Sequence, residues 1–122
     1  MIMIMSPRFL DCLAGLSSYQ RRLGRGEQLF AAGDPVRQVH AVTQGEIHLL
    51  RRQEDGSEFI LQRAGPGAIV AEASVVSDRF HCAAEAVTDS TVTIWPIAAV
   101  RDLVASDLAT AEAYARHLAA EV

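Results

Sequence analysis

Residues 65–86, GPGAIVAEASVVSDRFHCAAEA, decide how the rest of the chain is read. Gly65, Pro66 and Gly67 signal a turn, and Ile69-Val70 suits a short strand. Glu72 then sits among small residues, Ala71, Ala73 and Ser74. After Asp78-Arg79 the apolar character returns from Cys82 to Ala86. The pattern predicts a turn, a short strand, one or two helical turns near 71–77, and a second strand. The first turn of such a helix leaves N–H groups unpaired and able to meet an anion. Small residues let a ligand approach the backbone closely. A glutamate here can accept hydrogen bonds from sugar hydroxyls, and an arginine further on can pair with phosphate. The layout points to a small phosphorylated ligand.

Strand signals precede this stretch. Gly24 and Gly26 bracket a turn before Gln28-Leu29-Phe30, and Gly33-Asp34-Pro35 ends that strand. Residues 39–43 and 46–51 read as strands broken at Gln44-Gly45. In the second, Ile47 and Leu49 are expected inward, with Glu46, His48 and Arg51 outward. Asp55-Gly56 is a hairpin turn, because Asp-Gly readily supplies positive φ angles. The following strand, 58–63, alternates with Phe59 and Leu61 on one face. Thr88-Asp89-Ser90 turns into a last strand, 91–97, which carries Trp95.

Helices flank this β region. Residues 6–16 place Phe9, Leu10, Leu13 and Leu16 at helical spacing, with Ser6 as cap and Pro7 in the first position. After residue 97 the period changes. A short helix ends near Ala105, and Ser106 or Asp107 caps another, in which Leu108, Ala111, Ala115, Leu118 and Val122 recur at three- and four-residue steps. The whole predicts one domain over 1–122: a helix at 6–16, a jelly-roll-like β-roll over 18–97, and helices over 97–122. The last helix carries neither a C-cap glycine nor a basic last turn, so it is expected to continue or to be completed by a partner.

Composition agrees with a single globular domain. The chain has 122 residues, is half hydrophobic, and carries a formal charge of −4. No basic stripe extends beyond Arg21-Arg22 and Arg51-Arg52, which argues against nucleic-acid binding by this chain alone. Cys12 and Cys82 have no CxxC partner and read as free thiols. The apolar opening MIMIM is too short for a signal or a membrane span, so a cytoplasmic location without membrane contact is expected. His40 and His48 read as surface histidines, and His81-Cys82 as a buried thiol beside a satisfied histidine, so no metal site is expected. No P-loop, nucleophile–base set or cupin-type histidine spacing appears, which argues against an enzyme.

These residues together resemble a known family. Gly26-Glu27, Gly33-Asp34-Pro35, Gln44-Gly45-Glu46-Ile47, Asp55-Gly56, Gly65-Pro66-Gly67 with Ala71-Glu72, and Ala86-Val87-Thr88-Asp89-Ser90 follow the order and spacing of a cyclic-nucleotide-binding domain. The likeness is to the N-terminal effector domain of Crp/Fnr-type bacterial transcription regulators. It implies a double-stranded β-helix and a phosphate-binding cassette in residues 65–86. Glu72 matches the family's ribose-binding glutamate, and Ala71 stands where the family has glycine. Aligned through Ala86, Phe80 falls at the phosphate-binding arginine, His81 at the Ser/Thr and Cys82 at the alanine. A one-residue gap instead puts His81 at the arginine, and Arg79 is adjacent but out of register.

The resemblance thus gives Ala71, Glu72, Ala73, Arg79, Phe80, His81 and Cys82 as the candidate ligand site. The effector would be cyclic AMP, cyclic GMP or another small anion. Phenylalanine cannot replace a charge-assisted bidentate pair, which favours a divergent pocket. The resemblance also implies a homodimer through the stripe from Leu108 to Val122, with DNA read by a helix-turn-helix that this chain lacks. A stand-alone domain acting through protein contacts is the alternative.

Overall fold

The computed structural model describes residues 8–119. Eight strands form two four-stranded antiparallel sheets. In chain order they are β1 (Tyr19–Leu23), β2 (Gln28–Phe30), β3 (Gln38–Gln44), β4 (Ile47–Arg52), β5 (Glu58–Ala64), β6 (Ile69–Val70), β7 (Ala83–Ala86) and β8 (Ser90–Pro96). The first sheet runs β1-β8-β3-β6 and the second β2-β7-β4-β5. Successive strands change sheet at most connections, which gives the β-roll expected from the sequence.

Two apolar clusters hold it together. Between the sheets lie Leu23, Phe30, Val42, Ile47, Val70, Val92 and Ile94. On the outer face of the first sheet, Val39, Ala41, Ile69 and Trp95 pack under the helices. The first sheet is therefore covered on both faces, and β3 reads Val39-His40-Ala41-Val42 without polar alternation. This overturns the surface reading of His40, whose ring points between the sheets and is 4% exposed. His48 is half-buried and contacts Glu46.

Three α-helices cover that outer face: α1 (Phe9–Leu13), α2 (Ile97–Ser106) and α3 (Leu108–Ala119). The helix expected over 6–16 is shorter. Ser6 and Pro7 lie outside the described residues, and the chain turns after Leu13, where Leu16 N–H donates to the Leu13 carbonyl. A glycine at position 15 disfavours a further helical turn. Asp107 caps α3, its carboxylate accepting from the Thr110 amide and hydroxyl.

In α3 the buried positions are Thr110, Ala113 and Tyr114. The expected stripe lies roughly a third of a turn away around the helix. Leu108 and Ala115 are exposed, and Ala111 and Leu118 are half-buried. Val122 lies outside the described residues.

The second sheet also departs from simple alternation. Pairing between β4 and β5 shifts register at Leu49/Leu50, with Leu61 the extra residue on β5, while β4 pairs with β7 without a shift. Leu49 packs on the core between the sheets as expected, and Leu50 is buried as well. β5 is an edge strand, and Phe59, Ile60 and Leu61 are all exposed in place of one apolar face.

Candidate functional site

Within the candidate cassette, a 3₁₀ helix (Glu72–Val76) lies between β6 and β7. Ala71 enters this helix in the left-handed region, at φ 53° and ψ 52°. It is the one described non-glycine residue with positive φ. The glycine that the family carries would adopt this backbone without strain, whereas alanine pays about 1 kcal/mol.

Residues outside the cassette fix it, and none of them was singled out from the sequence. The Gln62 side chain of β5 donates to the Ile69 carbonyl (2.9 Å) and accepts from the Ala71 amide (3.0 Å). Arg101 of α2 donates to the carbonyls of Val75 (2.8 Å) and Ser77 (2.7 Å), pairing groups at the end of the 3₁₀ helix. Tyr114 of α3 donates its hydroxyl to the Glu72 carbonyl at 3.0 Å. Burial, and then the charge of Glu72, push the Tyr114 hydroxyl up, which keeps it protonated as a donor. No sequence periodicity marks such contacts, because each joins elements remote in the chain.

The candidate residues do not converge on one space. Glu72 is buried, and its carboxylate lies 3.7 Å from His117 Nε2 on α3. Ala73 is exposed. Arg79 bridges to Pro35 through the backbone, and its guanidinium donates to the Gly33 carbonyl at 2.9 Å. Phe80 is 5% exposed and stacks on Phe30 with ring centroids 3.6 Å apart and planes 9° from parallel. His81 is exposed, not satisfied in the interior as expected, and Cys82 is a buried free thiol. No described group of three or more His, Cys, Asp or Glu side chains is placed to hold a metal.

His40 completes the aromatic cluster, 5.8 Å from Phe30 and 6.5 Å from Phe80 between ring centroids. Desolvation, with a smaller contribution from Arg21, lowers its pKa to about 4. The unfolded chain therefore binds a proton in the range from about pH 6.5 to 4 that the folded domain refuses. Stability must fall as pH drops through this window. We expect wild type to lose about 2 kcal/mol more than His40→Phe between roughly pH 7.5 and pH 5. Urea melts of both proteins at the two pH values measure this; equal losses would contradict the burial of His40.

The family comparison agrees with the fold. A family model described as the cyclic nucleotide-binding domain matches residues 20–107. The chain belongs to the cyclic nucleotide-binding domain family. Within it, the chain is similar to the sensor domains of Crp/Fnr-type regulators. It is 26% identical to the N-terminal domain of a transcriptional regulator from Streptomyces coelicolor A3(2), over 84% of this chain and 72% of that one, with TM-score 0.68.

Two further structures match at the level of fold. They are the catabolite activator protein of Thermus thermophilus (24% identity, 88% and 56% of the two chains, TM-score 0.74) and FixK2 of Bradyrhizobium japonicum (21% identity, 87% and 52%, TM-score 0.78). The chain spans about half the length of these two regulators. No curated protein sequence matches the chain. No helix among the described residues is long and apolar enough to cross a membrane.

Proposed function

We propose that this chain is the effector-sensing and dimerising domain of a Crp/Fnr-type transcription regulator, with a cassette that no longer holds a cyclic phosphate. The observation that carries this reading is Phe80. In the alignment through Ala86 it falls where the family has arginine, with His81 there if a one-residue gap is allowed, and it is stacked inside the roll on Phe30. A cyclic phosphate carries a full negative charge, which costs several kcal/mol when buried without a cation. Arg79 is bonded to the Gly33 carbonyl and His81 faces outward, so neither offers that cation to the interior. The role is regulatory and not catalytic, in keeping with the regulators it resembles.

Dimerisation is supported by the apolar surface left exposed. On α3, Leu108 is 74% exposed, Ala115 is exposed, and Ala111 and Leu118 are half-buried along one face. Apolar side chains grouped on a surface favour a partner, here a second copy. DNA would be read by a domain outside this chain. Sedimentation equilibrium tests the dimer. Wild type is expected to associate and Leu108→Glu to shift toward monomer while keeping the circular dichroism spectrum of the folded domain. A monomer at all concentrations would refute dimerisation through this surface and favour a domain acting through contacts with other proteins.

A further inference from the structure

A feature that the cassette does not account for is a cavity of about 360 Å³ lined in part by Phe80. Phe30, His40 and Phe80 line its interior, and Asp34, Arg37 and Gln38 are among the residues of its wall. Its volume lies near the lower end for small-molecule sites, which suits one aromatic ring with substituents.

Three observations define what fits. The aromatic wall is Phe80 stacked on Phe30, a pair that presents apolar surface. His40 is buried in the wall with ring neighbours but no hydrogen-bond partner among the described residues. A neutral imidazole carries one donor and one acceptor, and the His40 ring nitrogens are not among the fully buried unpaired atoms, so they border space that a ligand can enter. Finally, Arg37 is exposed and makes no ion pair or side-chain hydrogen bond among the described residues. Two neighbouring polar groups are partly engaged, and Asp34 keeps its negative charge. Asp34 accepts from the Ala31 amide, and Gln38 donates to the Tyr19 hydroxyl. The groups that face a ligand are thus an aromatic wall, one imidazole, the Arg37 cation and the remaining carboxylate oxygen of Asp34.

We propose that this cavity binds a single-ring aromatic carboxylate bearing a hydroxyl group. Its ring lies against Phe30 and Phe80, its hydroxyl bonds His40, and its carboxylate pairs with Arg37. Phe80 belongs to both the cavity wall and the cassette, so the proposal rests on the reading that Phe80 stays stacked on Phe30.

Calorimetric titration of the intact chain with 4-hydroxybenzoate tests the assignment, with benzoate and phenol as comparison ligands. We expect saturable one-to-one binding of 4-hydroxybenzoate. Benzoate, lacking the hydroxyl, and phenol, lacking the carboxylate, should each bind about tenfold or more weakly, as one lost hydrogen bond or ion pair implies. Arg37→Gln and His40→Phe should each weaken 4-hydroxybenzoate by a similar factor. Arg37→Gln alters an exposed side chain, and its unchanged melting temperature would show that the fold is intact. Absence of saturable binding at millimolar 4-hydroxybenzoate would overturn the proposal. So would binding that neither substitution weakens, which would place the ligand elsewhere.

Discussion

Phe80→Ala is expected to destabilise the domain by about 4 kcal/mol, the usual cost of emptying a buried phenylalanine site. The side chain is almost fully buried and contributes to the core between the sheets. Its removal also leaves Phe30 without its stacking partner and opens the cavity beside His40. The backbone limits how far the gap can close. Phe80 N–H donates to the Asp34 carbonyl, and Gly33 N–H donates to the Phe80 carbonyl, so the loop before β7 is clamped to the loop before β3. Urea denaturation gives the number directly. A loss below about 1 kcal/mol would mean that Phe80 is not a core residue, and the account of the cassette would fail with it.

Gly45→Ala is expected to cost a similar amount, about 4 kcal/mol, for a different reason. Gly45 has φ +86°, a conformation that favours glycine. There is also no room: a Cβ atom would lie 2.2 Å from Ser90 Oγ and 2.5 Å from the Asp89 carbonyl oxygen. Ser90 cannot move aside freely, because its hydroxyl donates to the Thr88 carbonyl at 2.9 Å and accepts from the Glu46 amide at 3.1 Å. Backbone strain of about 1–3 kcal/mol and overpacking of about 1–3 kcal/mol therefore act together. Thermal or urea unfolding of the variant checks this. Gly15→Ala is the control, since nothing lies within 4 Å of its added Cβ.

Much of this architecture was legible in the sequence because glycine and turn chemistry act locally. Asp55-Gly56 makes its hairpin with Gly56 at positive φ and Ser57 bonded to the Asp55 carboxylate. The short strand, helical turn and return strand of residues 65–86 appear as Ile69–Val70, Glu72–Val76 and Ala83–Ala86. Asp107 was readable as a cap for the same reason.

What escaped the sequence depends on which elements meet. His40 looked like a surface residue because a lone histidine on a strand carries no sign that the sheet is covered on both faces. The buried side of α3 was missed because its positions, Thr110, Ala113 and Tyr114, are less apolar than the stripe of leucines and alanines beside them. In the cassette, the sequence showed that no arginine stands in register. It could not show that Arg79 would be spent on the Gly33 carbonyl or that Phe80 would find Phe30.

The central claim is that Phe80 occupies the place a cyclic phosphate would need. The most direct measurement follows the ring signals of Phe30 and Phe80 by NMR while cyclic AMP, and then cyclic GMP, are added to millimolar concentration. The account predicts that the two rings keep their mutual nuclear Overhauser contacts and that their shifts do not move. A saturable movement of both signals with loss of those contacts, abolished in Glu72→Ala, would show that nucleotide displaces the ring, and would contradict the account.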